Sequence, residues 1–414
     1  MARRRRSARA HPVVIENPAR LAIHGGLPVR NRMLPYGRQT ILEEDIAAVV
    51  EVLRSDWVTT GPKVDAFEDA LAETVGASHA VCFSSGTAAL HAAAFAAGIG
   101  VGDEAITTPL TFCATANCLV YQGATLVLAD IRADTLTLDP EAVAARITPR
   151  TRALLPVDYA GHPSDLNAFI ELAERHRLVV IEDAAHALGA TYQRRPVGSI
   201  SHMTTFSFHP VKHVTTGEGG AVATNDSSLA KRLRLFRNHG IEGGFRERQA
   251  ADTWRYEMIA LGYNYRLSDI ACALGISQLS RLAVNVRRRR AVAAQYASEF
   301  ADLPFLQLPV VRADVEPAWH LYPARVRPPL GRDDVWRALR AEGVGVNVHY
   351  PPVHLQPYYR ARFGFREGDY PETETATMEL ISLPMFHGMG SCEVRDVVTA
   401  VRKVLTHFAQ HANA

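Results

Sequence analysis

Val179-Val180-Ile181-Glu182-Asp183-Ala184-Ala185-His186 is the stretch on which the fold turns. A short β-branched run ends in two carboxylates and passes into small residues, the pattern of a buried strand that stops at a turn. Just upstream, Leu166–His176 carries its apolar residues at helical spacing. The same alternation recurs in both directions. Strands are expected at 79–83, 105–108, 125–129, 153–156, 178–182, 204–207 and 220–223, with helices such as 88–97, 140–146 and 166–176 between them. From Ile41 to Thr224 this order predicts an α/β fold with a large, doubly wound, mostly parallel sheet. Ligands of such sheets collect at the carboxyl ends of the strands, which is where Asp183 stands.

Farther along, 267–298 reads as one long helix carrying Arg287 to Arg290, a run expected to form a solvated face or a partner contact. Segments 318–327, 333–342, 345–350 and 393–407 then read as strand, helix, strand and helix, a small C-terminal α+β domain. The expected division is a basic, flexible segment over 1–32, a large domain over 33–270, and a linking helix with the small domain over 271–414.

A chain of 414 residues is too long for one small core. Its 45 basic and 43 acidic residues nearly cancel, so the body offers no field for nucleic acid. Arg3 to Arg6 and Arg9 read as a free basic tail. The stretch before Leu34 is too short and proline-interrupted for a DNA-recognition module. No apolar run reaches the ~18–20 residues that span a bilayer, and no secretory signal precedes the body. The five cysteines, Cys82, Cys113, Cys118, Cys272 and Cys392, are scattered and odd in number. They read as buried free thiols of a reducing cytoplasm, without disulfide or metal spacing.

Three segments carry chemistry. Ser84-Ser85-Gly86-Thr87 runs into an alanine-rich helix, and a small-residue turn there offers free amides and a favourable dipole to a phosphate. Gly86 allows close approach and the Thr87 hydroxyl adds a donor. Alone this is a common turn. Asp183, at the end of its strand, needs a cation, and a protonated pyridine nitrogen would serve; capping the next helix is the other reading. His186 could meet a phenolic oxygen of that ring, the Asp183 carboxylate, or simply the core. In Ser207-Phe208-His209-Pro210-Val211-Lys212-His213, Lys212 lies among apolar, hydroxyl and glycine residues, where a lowered pKa favours Schiff-base chemistry. Ser207 could add a phosphate contact. Together the three make a site for pyridoxal 5′-phosphate.

With these motifs the chain resembles the DegT/StrS family of sugar aminotransferases, from about Leu34 to about Leu405. The resemblance implies the type I aminotransferase fold, with Lys212 and Asp183 catalytic. Thr111-Phe112 is similar to the segment whose aromatic ring stacks on the cofactor. Asn264, in Gly262-Tyr263-Asn264-Tyr265-Arg266, would reach the phosphate of the partner subunit's cofactor, which implies a homodimer with shared sites. Within the family, segments 34–41, 55–64, 157–161, 347–359 and 381–386 are similar to the branch that aminates the C4 keto group of a UDP-linked 4-keto-6-deoxy-hexose for pseudaminic acid. The resemblance thus implies L-glutamate and a nucleotide sugar as substrates, with Tyr36, Lys63, Tyr159, His349 and Tyr350 as candidate sugar contacts. Sugar dehydratases of the same fold carry a histidine in the lysine's place; here Lys212 holds it and His213 follows. Another nucleotide keto-sugar is the alternative substrate.

Overall fold

The computed structural model describes residues 20–412. Seven strands form the central sheet: β1 (His79–Phe83), β2 (Glu104–Thr107), β3 (Thr125–Leu128), β4 (Thr151–Leu155), β5 (Val179–Asp183), β6 (Met203–Ser207) and β7 (Gly220–Thr224). Their order is β1-β7-β6-β5-β4-β2-β3. Every neighbouring pair from β6 to β3 is parallel, while β7 runs antiparallel to both β1 and β6. The inversion has a simple cause. A parallel return needs a crossover, usually a helix, and the connection between β6 and β7 contains none. That connection is the loop bearing Lys212.

Alternate residues of one strand face opposite layers. Val81 and Phe83 of β1 pack with Ala88, Ala92 and Leu233, whereas Ala80 and Cys82 pack with Phe67, Leu71 and Phe206. Helix Gly86–Ala96 can lie close against the sheet because its inner residues are mostly alanine, and Ser85 caps it by accepting from the Ala88 amide at 3.1 Å. Helix Leu166–His176 buries Leu166, Phe169, Leu172 and Ala173, one face at helical spacing. These features bear out the expected α/β class.

A second core lies between a three-stranded antiparallel sheet (Leu306–Gln307, Tyr322–Val326, Leu380–Leu383) and the helices Leu282–Phe300, Arg332–Ala341 and Ser391–Ala412. Leu21 and Leu34 belong to it. The Ala22 and Val29 amides donate to Glu342 at 2.8 and 3.0 Å, so from Leu21 onward the chain is tied to the small domain. This corrects the reading of 1–32 as one flexible segment; the arginine-rich tail itself lies outside the described residues.

Four further expectations are corrected. The helix expected over 267–298 is two, Asp269–Leu279 and Leu282–Phe300, and at the break Arg281 turns to Asp45 at 2.7 Å. The arginine run is no solvated face throughout, because Arg289 is fully buried. Residues 345–350 form no strand: Gly345 N bonds Leu34 O and Asn347 N bonds Ser382 O, so successive amides face different partners and no ladder builds. Not all the cysteines are buried; Cys392 is exposed and Cys113 half-buried.

Candidate active site

The carboxyl ends of β1, β5 and β6 meet around one point. At β1, Ser85 begins helix Gly86–Ala96, leaving first-turn amides without helical acceptors. A Cβ placed on Gly86 would lie 2.9 Å from Ser207 Cβ, so the turn and the end of β6 are in close contact. Gly220 stands opposite Ser207 in the ladder, and a Cβ there would lie 2.6 Å from Ser85 O and 2.7 Å from Gly86 Cα. Gly86, Thr87 and Ser207 are thus brought together, half-exposed, at a helix N-terminus. That cradle suits a phosphate.

Asp183 closes β5 and is buried. Its Oδ2 accepts from Thr115 Oγ1 at 2.6 Å and its Oδ1 from the Ala185 amide at 3.1 Å. Burial raises its pKa, while Thr115, Ala185 and Lys212 each pull it back. Lys212 keeps part of its surface open, yet protein surrounds it closely enough that burial lowers its amine to about 7. Asp183 opposes that shift and Arg289 adds to it. His213 is buried, and its Nε2 donates to Ala318 O at 3.0 Å.

His186 does not bond Asp183. Its Nδ1 accepts from the Ala160 amide at 3.3 Å, which puts the proton on Nε2, 3.0 Å from the Tyr350 hydroxyl. Burial holds the ring well below the usual histidine range, so it is neutral. Tyr350 lies 5.9 Å, centroid to centroid, from Phe112, which is 56% exposed at the start of helix Cys113–Tyr121. Tyr36 lies 5.1 Å from the His349 ring, His349 Nδ1 bonds Ser382 Oγ at 2.9 Å, and the buried Tyr159 hydroxyl donates to the His349 carbonyl. Tyr36, Tyr159, His349 and Tyr350 therefore share one wall beside His186. Lys63 is not drawn in; its exposed ammonium pairs with Glu51.

Asn264 is exposed and bridges Asn238, while the next residue, Tyr265, accepts from the Ser84 amide at 2.8 Å. Three contributors are not marked by local sequence. Thr115 carries only a faint signal, a hydroxyl in the first turn of helix Cys113–Tyr121. His320, whose ring lies 4.3 Å from that of His186, comes from a segment far along the chain. Arg289 was hidden in the arginine run. No group of three or more metal-ligating side chains occurs among the described residues, and no helix there is long and apolar enough to cross a membrane.

A buried carboxylate for a ring nitrogen, a lysine with a lowered pKa and a phosphate cradle fit pyridoxal phosphate. Comparison with known proteins agrees. Residues 39–402 match the DegT/DnrJ/EryC1/StrS aminotransferase family. The chain is 42% identical over 381 residues to the Bacillus subtilis spore coat polysaccharide biosynthesis protein SpsC, covering 91% of this chain and 98% of that one. Helicobacter pylori PseC, an aminotransferase involved in the biosynthesis of pseudoaminic acid, superposes with a TM-score of 0.85 at 33% identity, covering 91% of this chain and 100% of that one. The PLP-form of the putative sugar aminotransferase Spr1654 from Streptococcus pneumoniae superposes with a TM-score of 0.84 at 30% identity, over 91% and 99% of the two chains. The chain belongs to the DegT/DnrJ/EryC1/StrS aminotransferase family, and its cofactor is pyridoxal 5′-phosphate.

Proposed function

We propose that this aminotransferase moves an amino group from L-glutamate onto the C4 keto group of a nucleotide-linked, UDP-type 4-keto-6-deoxy-hexose. The observation that carries the chemistry is the convergence of the buried Asp183 carboxylate, held by Thr115 and the Ala185 amide, with a shielded Lys212 amine lowered to about 7. For the substrate, the support is likeness to PseC and SpsC, together with a wall of aromatic hydroxyls and imidazoles, Tyr36, His349 and Tyr350, suited to a polar ring.

When bound, the cofactor supplies an electron sink. In this reading Gly86, Thr87 and Ser207 would hold its phosphate, Phe112 would cover its ring, and Asp183 would keep a proton on its ring nitrogen. Lys212 Nζ, uncharged, accepts the proton from the donor's α-carbon and returns it as an acid; in the second half it works on the sugar carbon. His186, neutral and protonated on Nε2, orients the Tyr350 hydroxyl. Tyr159 braces His349 rather than the sugar, and Lys63 stays outside the cluster.

The active unit in this proposal is a homodimer in the cytoplasm. Trp254, Met258, Leu261 and Tyr263, near Asn264 in sequence, are large apolar side chains left exposed on the single chain, the kind of surface a partner subunit covers. The free thiols, with Cys392 exposed, suit a reducing compartment. The test is to incubate the pure protein with L-glutamate and a panel of nucleotide 4-keto-sugars, and to follow the aminated sugar by mass spectrometry. Turnover of none of the UDP-linked 4-keto-6-deoxy-hexoses, with turnover of another nucleotide sugar, would replace the substrate and keep the chemistry.

A further inference from the structure

Arg289, on helix Leu282–Phe300, is fully buried, yet no carboxylate pairs with it among the described residues. Other shielded arginines have one: Arg325 has Glu379, Arg237 has Glu68 and Arg281 has Asp45. Arg289 Nη1 instead donates to the carbonyls of Trp319 at 3.2 Å, His320 at 3.3 Å and Met385 at 2.9 Å. Its Nη2 donates to the carbonyl of Val211, the residue before Lys212, at 3.4 Å. Its Nε has no acceptor among the described residues. Burying a cation without a counter-charge is costly, and carbonyl dipoles offset only part of that cost.

The surroundings sharpen the point. Lys212 is faced by Asp183 from β5, His186 from the turn after it, His213 from its own loop, His320 and His349 from the small-domain side, and Arg289 from the linking helix. Burial keeps all four of these histidines uncharged at neutral pH, as it does His387, which faces Arg289. Arg289 stays charged, its guanidinium lowered only to about 10. The formal charges acting on Lys212 are therefore one carboxylate and one guanidinium.

We propose that Arg289 is a positioning residue for Lys212: it ties the lysine loop to the 319–320 and 385 backbone, and its unneutralised charge disfavours a second cation at the lysine amine. This rests on Lys212 being the reactive amine of the proposed function. The test uses the full-length protein after cofactor removal, with folding checked by circular dichroism. The rate at which an amine-directed aryl fluoride labels Lys212 is read by peptide mass spectrometry across pH. The unaltered protein should inflect at about 7. Arg289→Met and Arg289→Gln should move the inflection up by about one unit, slowing labelling at pH ~6 about tenfold. Arg289→Lys, which keeps a charge, should hold it. An inflection in the ordinary lysine range for the unaltered protein defeats the reading of Lys212 itself. A low inflection that neither neutral variant moves defeats only the part given to Arg289. So does a fold that survives Arg289→Lys but neither neutral variant, since the residue would then be purely structural.

Discussion

Thr115 Oγ1 lies 2.6 Å from Asp183 Oδ2, a hydroxyl donated from one helix to a buried carboxylate that ends the strand β5. It is one of two hydrogen bonds that offset the rise burial imposes on Asp183. Thr115→Val keeps the shape and removes the donor, so Asp183 should bind its proton more tightly and hold the ring nitrogen's less well. A charge-assisted bond of about 1.5 kcal/mol corresponds to a kcat roughly ten times lower, with Thr115→Ser near normal. Asp183→Asn removes the charge and should cost several orders of magnitude while the cofactor stays bound. Steady-state kinetics decide it, and an unchanged kcat for Thr115→Val would make the bond incidental.

Lys212 has a pH signature. Its amine is lowered to about 7, and only the uncharged form can accept a proton. The donor half-reaction should accelerate as pH rises through ~7 and level off above it, the reverse of what a protonated lysine acting first as an acid would give. Lys212→Ala should abolish both turnover and the fixing of cofactor to the protein by borohydride. Stopped-flow rates across pH check the first point; a flat profile would contradict it.

Gly220→Ala tests the phosphate cradle without touching a proposed ligand side chain. The added Cβ would meet Ser85 O at 2.6 Å and Gly86 Cα at 2.7 Å, both backbone atoms that cannot swing aside. The helix start must shift, so the cofactor's dissociation constant should rise at least about tenfold and stability fall by about 1–3 kcal/mol. Fluorescence titration with pyridoxal phosphate and thermal unfolding measure the two. Wild-type values for both would mean the junction is looser than drawn.

Asn264 tests the shared site. If it acts across a dimer while Lys212 and Asp183 act within one subunit, hybrids of Lys212→Ala and an Asn264→Ala chain hold one doubly damaged site and one intact site. Two nearly inactive parents, mixed and allowed to exchange, should recover about a quarter of wild-type activity, since about half the dimers are hybrids. No recovery, with exchange verified by native mass spectrometry, would return Asn264 to its own subunit's site.

Local chemistry made the sheet legible. The seven β-branched runs became β1 to β7 with ends within about two residues, because strand and helix periodicity are properties of neighbouring residues. The ends of those strands also marked Gly86, Asp183 and Ser207 as candidates, with Lys212 on the loop after β6, because each alone is a common turn, cap or surface charge but the set in this order is not. What sequence could not decide was which distant groups meet them. The strand expected from Ala318 begins only at Tyr322, because Ala318 N bonds Gly161 O and places His320 against His186. The arginine run looked like solvated charge until the fold wrapped the Lys212 loop and the 319–320 and 385 carbonyls around Arg289. Burial, and with it the charge state of Lys212 and its histidine neighbours, depends on segments tens to hundreds of residues apart, so only the tertiary structure sets it.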